Sequence, residues 1–129
     1  MTTELTILAL AGLLQAVQFC LYSVAATRQV GTKVSLGPRD IKPELSGIAG
    51  RLQRALNNHF EGLILFTLSV VVVTLGKQSS PVTETCAYLY LIARVLYVPA
   101  YAYGLSPWRS VVWTVGFFAT ITMLIAALI

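Results

Sequence analysis

Four long apolar stretches, at residues 5–26, 63–76, 82–103 and 111–129, leave this 129-residue chain little room to build anything but membrane-crossing helices. A helix rises about 1.5 Å per residue, so about 20 residues are needed to cross roughly 30 Å of hydrocarbon. The first, third and fourth stretches meet that length directly. The second does not, because 63–75 would cover only about 20 Å. Its missing third has to come from the polar lead-in of "RLQRALNNHFEGLILF", residues 51–66. Arg54, Asn58 and Glu61 are then expected at or inside the hydrocarbon boundary, where such groups are tolerated only facing protein or a water-filled cavity. Charged residues make up 11% of the chain, against roughly 25% in a soluble domain. An integral membrane protein is expected.

The first stretch is read as a retained helix. A cleaved signal would need a basic leader, and Glu4 is the only charge before it. Arg28, Lys33, Arg39, Lys42, Arg51, Arg54, Arg94 and Arg109 all fall on one side of a four-span layout, with Lys77, Glu4 and Glu84 on the other. The positive-inside rule then puts both termini outside and the first and third loops in the cytoplasm. The net charge of +4 is a topology signal, and no nucleic-acid partner is implied. Cys20 and Cys86 are expected at opposite membrane depths, too far apart for a disulfide.

The expected fold class is all-α: one domain, residues 1–129, forming an antiparallel four-transmembrane-helix bundle. Its helices are expected at about 4–27, 48–76, 81–104 and 107–129. The one sizeable loop, 28–50, is rich in glycine, proline and mixed charge. Ser80 with Pro81, and Ser106 with Pro107, read as N-caps followed by a proline at the first helical position. Pro99 lies within the third span and removes a backbone donor there.

Helical geometry sorts the polar residues into stripes. At 100° per residue, Arg51, Arg54, Asn58 and Glu61 fall at about 0°, 300°, 340° and 280°, while His59 points away at about 80°. In the third helix Tyr90, Arg94, Tyr97 and Tyr101 stand at about 320°, 0°, 300° and 340°. The first helix offers Gln15, Gln18 and Tyr22. The stripes could simply glue the bundle, with Glu61 neutralising Arg54. Four arginines against that one glutamate leave positive charge over, however, and tyrosine hydroxyls beside it imply an anionic ligand entering from the cytoplasmic side. At "SPWRS" Arg109 and Ser110 occupy the first turn of the fourth helix, where unpaired N–H groups and the dipole favour an anion. A thiolate held there would be stabilised as activated cysteines are. The alternative is that Arg109 is a cytoplasmic anchor and Trp108 a residue of the interfacial belt. His59 has no second ligand at metal spacing, so no metal site is expected.

Arg54-Ala55-x-x-Asn58-x-x-Glu61, preceded by Arg51 and running on to Phe66, resembles the second-helix signature of the MAPEG family, the membrane-associated proteins in eicosanoid and glutathione metabolism. Arg94-x-x-Tyr97-x-x-x-Tyr101 and Pro107-Trp108-Arg109-Ser110 resemble the family's later signatures. The length and layout are similar to those of its short bacterial members. The resemblance implies a homotrimer with sites between protomers, each open to the cytosol and holding glutathione as co-substrate in a bent shape. It assigns Arg51, Arg54, Asn58 and Glu61 to the glutathione backbone, with Arg94, Tyr97 and Tyr101 from the third helix and Arg28 from the end of the first. Arg109 would stabilise the thiolate, with Ser110 beside it.

The leading expectation is therefore a glutathione-dependent membrane transferase or peroxidase, attacking a lipophilic electrophile or lipid delivered from the bilayer. A second is a non-catalytic trimer binding an anion, another thiol or a lipid headgroup. A third is a small proton-coupled exporter using Glu61, disfavoured because the first span offers only glutamines for that role.

Overall fold

The computed structural model describes residues 1–31, 45–105 and 107–129, so Lys33, Arg39, Lys42 and the expected cap Ser106 lie outside the described residues. Four helices follow in order: α1 (Thr3–Val30), α2 (Gly47–Leu75), α3 (Pro81–Ala102) and α4 (Trp108–Leu128). Each is long and apolar enough to cross a membrane. No strand occurs among the described residues.

Local sequence explains most of the helix starts. The Thr2 hydroxyl accepts from the Leu5 N–H at 3.2 Å and caps α1. Ser80 and Thr83 form a reciprocal capping box at the head of α3, with Pro81 in its first turn. At α2 the N-cap Ser46 makes no side-chain cap bond. Its backbone is instead clamped by the Gln29 amide: the Ser46 N–H donates to Oε1 at 2.9 Å, and Nε2 donates to the Ser46 carbonyl at 3.0 Å. That clamp ties the end of α1 to the start of α2. At α4 the expectation needs correcting. Pro107 is the N-cap, and the helix opens one residue later, at Trp108.

The short connections after α2 and α3 make the helices they join antiparallel, and the Gln29–Ser46 clamp sets the end of α1 beside the start of α2. The α3–α4 contact is the most extensive, while α1 packs on α2 and α3 and does not reach α4. Ile7, Phe66, Val70, Val73, Ala87 and Met123 form the heart of the core, and Phe66 stacks on Tyr90 with ring centroids 4.0 Å apart. Outward, Leu13, Ile64 and Phe118 are exposed, as a surface facing lipid requires. With 29 residues, α2 is about 43 Å long and overshoots the hydrocarbon. If Leu75 marks one boundary, the other falls about 20 residues back, near Leu56. Asn58 and Glu61 then lie within the apolar layer, and Arg51 and Arg54 at its edge.

For Glu4 the sequence suggested a side of the membrane and no partner. It is fully buried, and its Oε2 accepts from the hydroxyls of Ser79 at 2.6 Å and Thr83 at 2.8 Å. Both partners lie more than seventy residues away at the head of α3, which is why local sequence gave no hint of them.

Candidate functional site

The polar stripes of α2 and α3 face each other. Arg54 Nε donates to the Tyr101 hydroxyl at 3.1 Å, and Arg94 Nη1 donates to Asn58 Oδ1 at 2.9 Å. Arg51 reaches the end of α3, where its Nη1 lies 3.5 Å from the Ala102 carbonyl. There Gly104, with φ of 66°, holds a left-handed turn, and a Cβ on it would stand 3.3 Å from the Arg51 guanidinium carbon. Two more guanidinium contacts run along α3. Arg94 lies over the Tyr97 ring at 4.7 Å, and Arg109, arriving from α4, over the Tyr101 ring at 4.9 Å. Arg54 approaches that same Tyr101 ring at 5.8 Å. Tyr97 and Tyr101, 5.5 Å apart, thus carry three cations between them. Aromatic faces attract cations, more strongly when both are desolvated.

His59 explains how a buried arginine is held. The helical projection turns it away from the stripe, and in the fold it is fully buried, bridging α1 and α3. Its Nε2 lies 3.1 Å from the Ala11 carbonyl, and Arg94 Nε donates to its Nδ1 at 3.4 Å. A carbonyl only accepts and a guanidinium only donates, so the ring is the neutral tautomer with its proton on Nε2. Arg94 thereby has Nη1 on Asn58, Nε on His59 and one face on Tyr97. Its Nη2 is buried without a partner, as is the hydroxyl of Tyr90. Each such group costs about 1–3 kcal/mol when left unsatisfied.

The carboxylate that was to balance these charges does not pair with them. Glu61 is exposed, and Arg54 is engaged by Tyr101 rather than by Glu61. Simple neutralisation of Arg54 by Glu61 therefore does not account for the stripe. The cationic surplus remains, beside an open groove lined by Asn58, Tyr97, Tyr101, Arg109, Ser110 and Trp113.

The start of α4 also differs from its sequence reading. The Arg109 N–H donates to the Leu105 carbonyl at 3.0 Å, and those of Ser110 and Val111 to the Pro107 carbonyl at 3.0 and 3.2 Å. These first-turn amides are already used by the turn that leads in. What α4 offers an anion is the Arg109 side chain and the Ser110 hydroxyl. Arg28 stands apart: it is exposed and borders a shallow recess on α1 with Ser23 and Thr27. Within one chain the fold brings Arg51, Arg54, Asn58, Arg94, Tyr97, Tyr101, Arg109 and Ser110 together at one end of the bundle; Arg28, in the last turn of α1 at that same end, does not line the groove. In the α1 stripe, Gln18 is buried with neither amide atom partnered.

A second, more enclosed cavity of about 210 Å³ adjoins the groove and shares Asn58 and Trp113 with it. Gly62, Trp113 and Phe117 in its wall were given no role by the sequence reading, which had set Tyr90 only on the polar stripe of α3. Trp113, Gly116, Phe117 and Thr120 follow Arg109 at helical spacing, a one-face pattern that would have marked α4 as a cavity wall. Glu61 lines this cavity rather than the groove.

Against known proteins, a family model described as the MAPEG family matches residues 7–129, nearly the whole chain. No curated protein matches the sequence.

Proposed function

Since the chain belongs to the MAPEG family, we propose that it is a glutathione-dependent membrane transferase or peroxidase acting on lipophilic electrophiles. One observation carries this reading: Arg54, Arg94 and Arg109 gather on Tyr97 and Tyr101 beside an open groove, with no carboxylate among the described residues paired to them. Cations at a membrane boundary, with Arg94 buried and Arg109 half-buried, that no carboxylate among the described residues neutralises suit an anionic ligand, and glutathione brings two carboxylates and an ionisable thiol.

In this reading Arg51, Arg54 and Asn58 hold the peptide, and Glu61, which lines the adjoining cavity beside Asn58, holds its amine. Arg94, Tyr97 and Tyr101 form the floor. Arg109 and the Ser110 hydroxyl stabilise the thiolate after its proton has passed to water. The thiolate sulfur then attacks the electrophile, forming a carbon–sulfur bond as the leaving group departs. With a hydroperoxide it attacks the terminal oxygen instead, the O–O bond breaks and the alkoxide leaves to take a proton from water as the alcohol; a second thiol then turns the resulting sulfenic acid into a disulfide and water. The working form is a homotrimer in the bacterial inner membrane, both termini outside, each groove open to the cytoplasm and completed by Arg28 of a neighbouring copy. The exposure of Arg28 and its separation from the groove within one chain are what such a completion needs.

The use of the α4 amides within their own turn favours a second reading, a trimer that binds the anion without activating a thiol. The two separate by assay. Purified protein should conjugate glutathione to chlorodinitrobenzene or reduce cumene hydroperoxide, with saturation in both substrates. Glutathione binding without either turnover would leave the binding reading standing.

A further inference from the structure

The cavity beside the groove has a mixed wall with a definite polarity. Leu65, Trp113 and Phe117 make it largely apolar, and the Trp113 and Phe117 rings stack 5.2 Å apart. Into the same wall are built Arg94 and Tyr90, 3% and 2% exposed, each with one polar atom that has no partner: Nη2 and the phenolic hydroxyl. A guanidinium can only donate, and a phenol donates readily, so the pair is matched by a hydrogen-bond acceptor. Gly62, in the same wall, sits against the Tyr90 hydroxyl and the Arg94 guanidinium. A Cβ there would lie 3.4 Å from the Tyr90 hydroxyl and 3.7 Å from Arg94 Nη1. The Glu61 carboxylate borders the same cavity and disfavours a fully charged anion. At about 210 Å³ the space is below the roughly 300–1,000 Å³ of drug-sized sites, which limits the occupant to about one ring with a short chain.

We propose that this cavity seats the second substrate, and that it selects slim, neutral, apolar molecules bearing a conjugated carbonyl, an enone or a quinone, whose oxygen takes the two free donors of Arg94 and Tyr90. The chemistry half of this rests on the thiolate reading of the adjoining groove; the binding half does not. The thiolate sulfur bonds to the β-carbon, and the alkene pair moves to make an enolate whose oxygen the two donors stabilise. The α-carbon then takes a proton from water, replacing the one the thiol gave up, so the net reaction is addition with nothing oxidised or reduced. Donors waiting where negative charge develops are the most effective electrostatic aid to such a step. His59 and Asn58 act as positioning residues, holding the guanidinium so that Nη2 is the atom left over.

The test reads binding first. Benzylideneacetone and its carbonyl-free counterpart β-methylstyrene are titrated against the full chain without glutathione, following Trp113 fluorescence in a Trp108→Phe background. Tyr90→Phe keeps the stack on Phe66 and removes only the hydroxyl. It should weaken benzylideneacetone about tenfold and leave β-methylstyrene unchanged. Gly62→Val should exclude both probes. Equal binding of benzylideneacetone by Tyr90→Phe and the parent would overturn the proposal, as would an equal loss of both probes in Tyr90→Phe. So would full binding of both probes by Gly62→Val. Glutathione is titrated on the same samples. Tyr90-dependent enone binding without glutathione binding keeps the cavity and removes the thiolate reading. Glutathione binding with no enone binding does the reverse.

Discussion

Toward the turn at residues 76–80, the seam between α2 and α3 is nearly all hydrocarbon: Phe66, Val70 and Val73 meet Cys86 and Ala87, all buried. Toward the opposite end the same two helices meet through Arg54, Asn58, His59, Arg94 and Tyr101. The first half is satisfied by contact alone. The second places charge where lipid depth makes it costly, spends most of its donors internally, and still leaves Arg94 Nη2 and the Tyr90 hydroxyl unused. Packing does not need that second half. A binding site does.

Substitutions can break or sharpen this contrast. The largest effect is expected at Arg109→Ala, which should lower turnover about a hundredfold, as loss of one charge-stabilising donor does, while glutathione affinity stays within about threefold. Equal loss of both would remove the division of roles. In the apolar half, Met123→Ala should cost about 2–3 kcal/mol of stability, read as a lower melting temperature in detergent, with affinity unchanged. A change in glutathione affinity there would blur the two halves. His59→Leu leaves Arg94 Nε without its acceptor and should cost about 2 kcal/mol. Unlike Met123→Ala, it should also disturb ligand binding. Arg54→Ala should weaken glutathione about tenfold, the loss of one charge-assisted contact, with little change in maximal rate. The smallest effect is expected at Gln18→Leu. Removing a buried amide that has no partner should leave stability unchanged or raise it by up to about 1 kcal/mol.

Much of this was legible in the chain, and the parts that were not share a cause. Apolar length and base rate of charge fixed the four spans, because lipid requires helices of about that length. The α2 and α3 stripes were readable because a helix repeats at fixed angles, and Arg54–Tyr101 and Asn58–Arg94 are where those stripes meet. His59 was not, since its partners sit on α1 and α3, and an angle on one helix does not say which neighbour covers the other face. Glu4 escaped for the same reason, with its hydroxyl partners across the bundle. At α4 the first-turn donors were expected to be free. The Leu105 and Pro107 carbonyls use them, a detail of turn geometry that motif spacing does not carry.

The central claim is that the cationic end of the seam activates a thiol. The most direct measurement is a thiolate difference-absorbance titration, with glutathione added to detergent-purified protein near neutral pH and Arg109→Ala beside it. A thiolate band that saturates in the parent and is missing in the variant is the predicted result. Glutathione bound by both with no band in either would contradict it, and would make this end of the bundle a place where an anion is held and no thiol is activated.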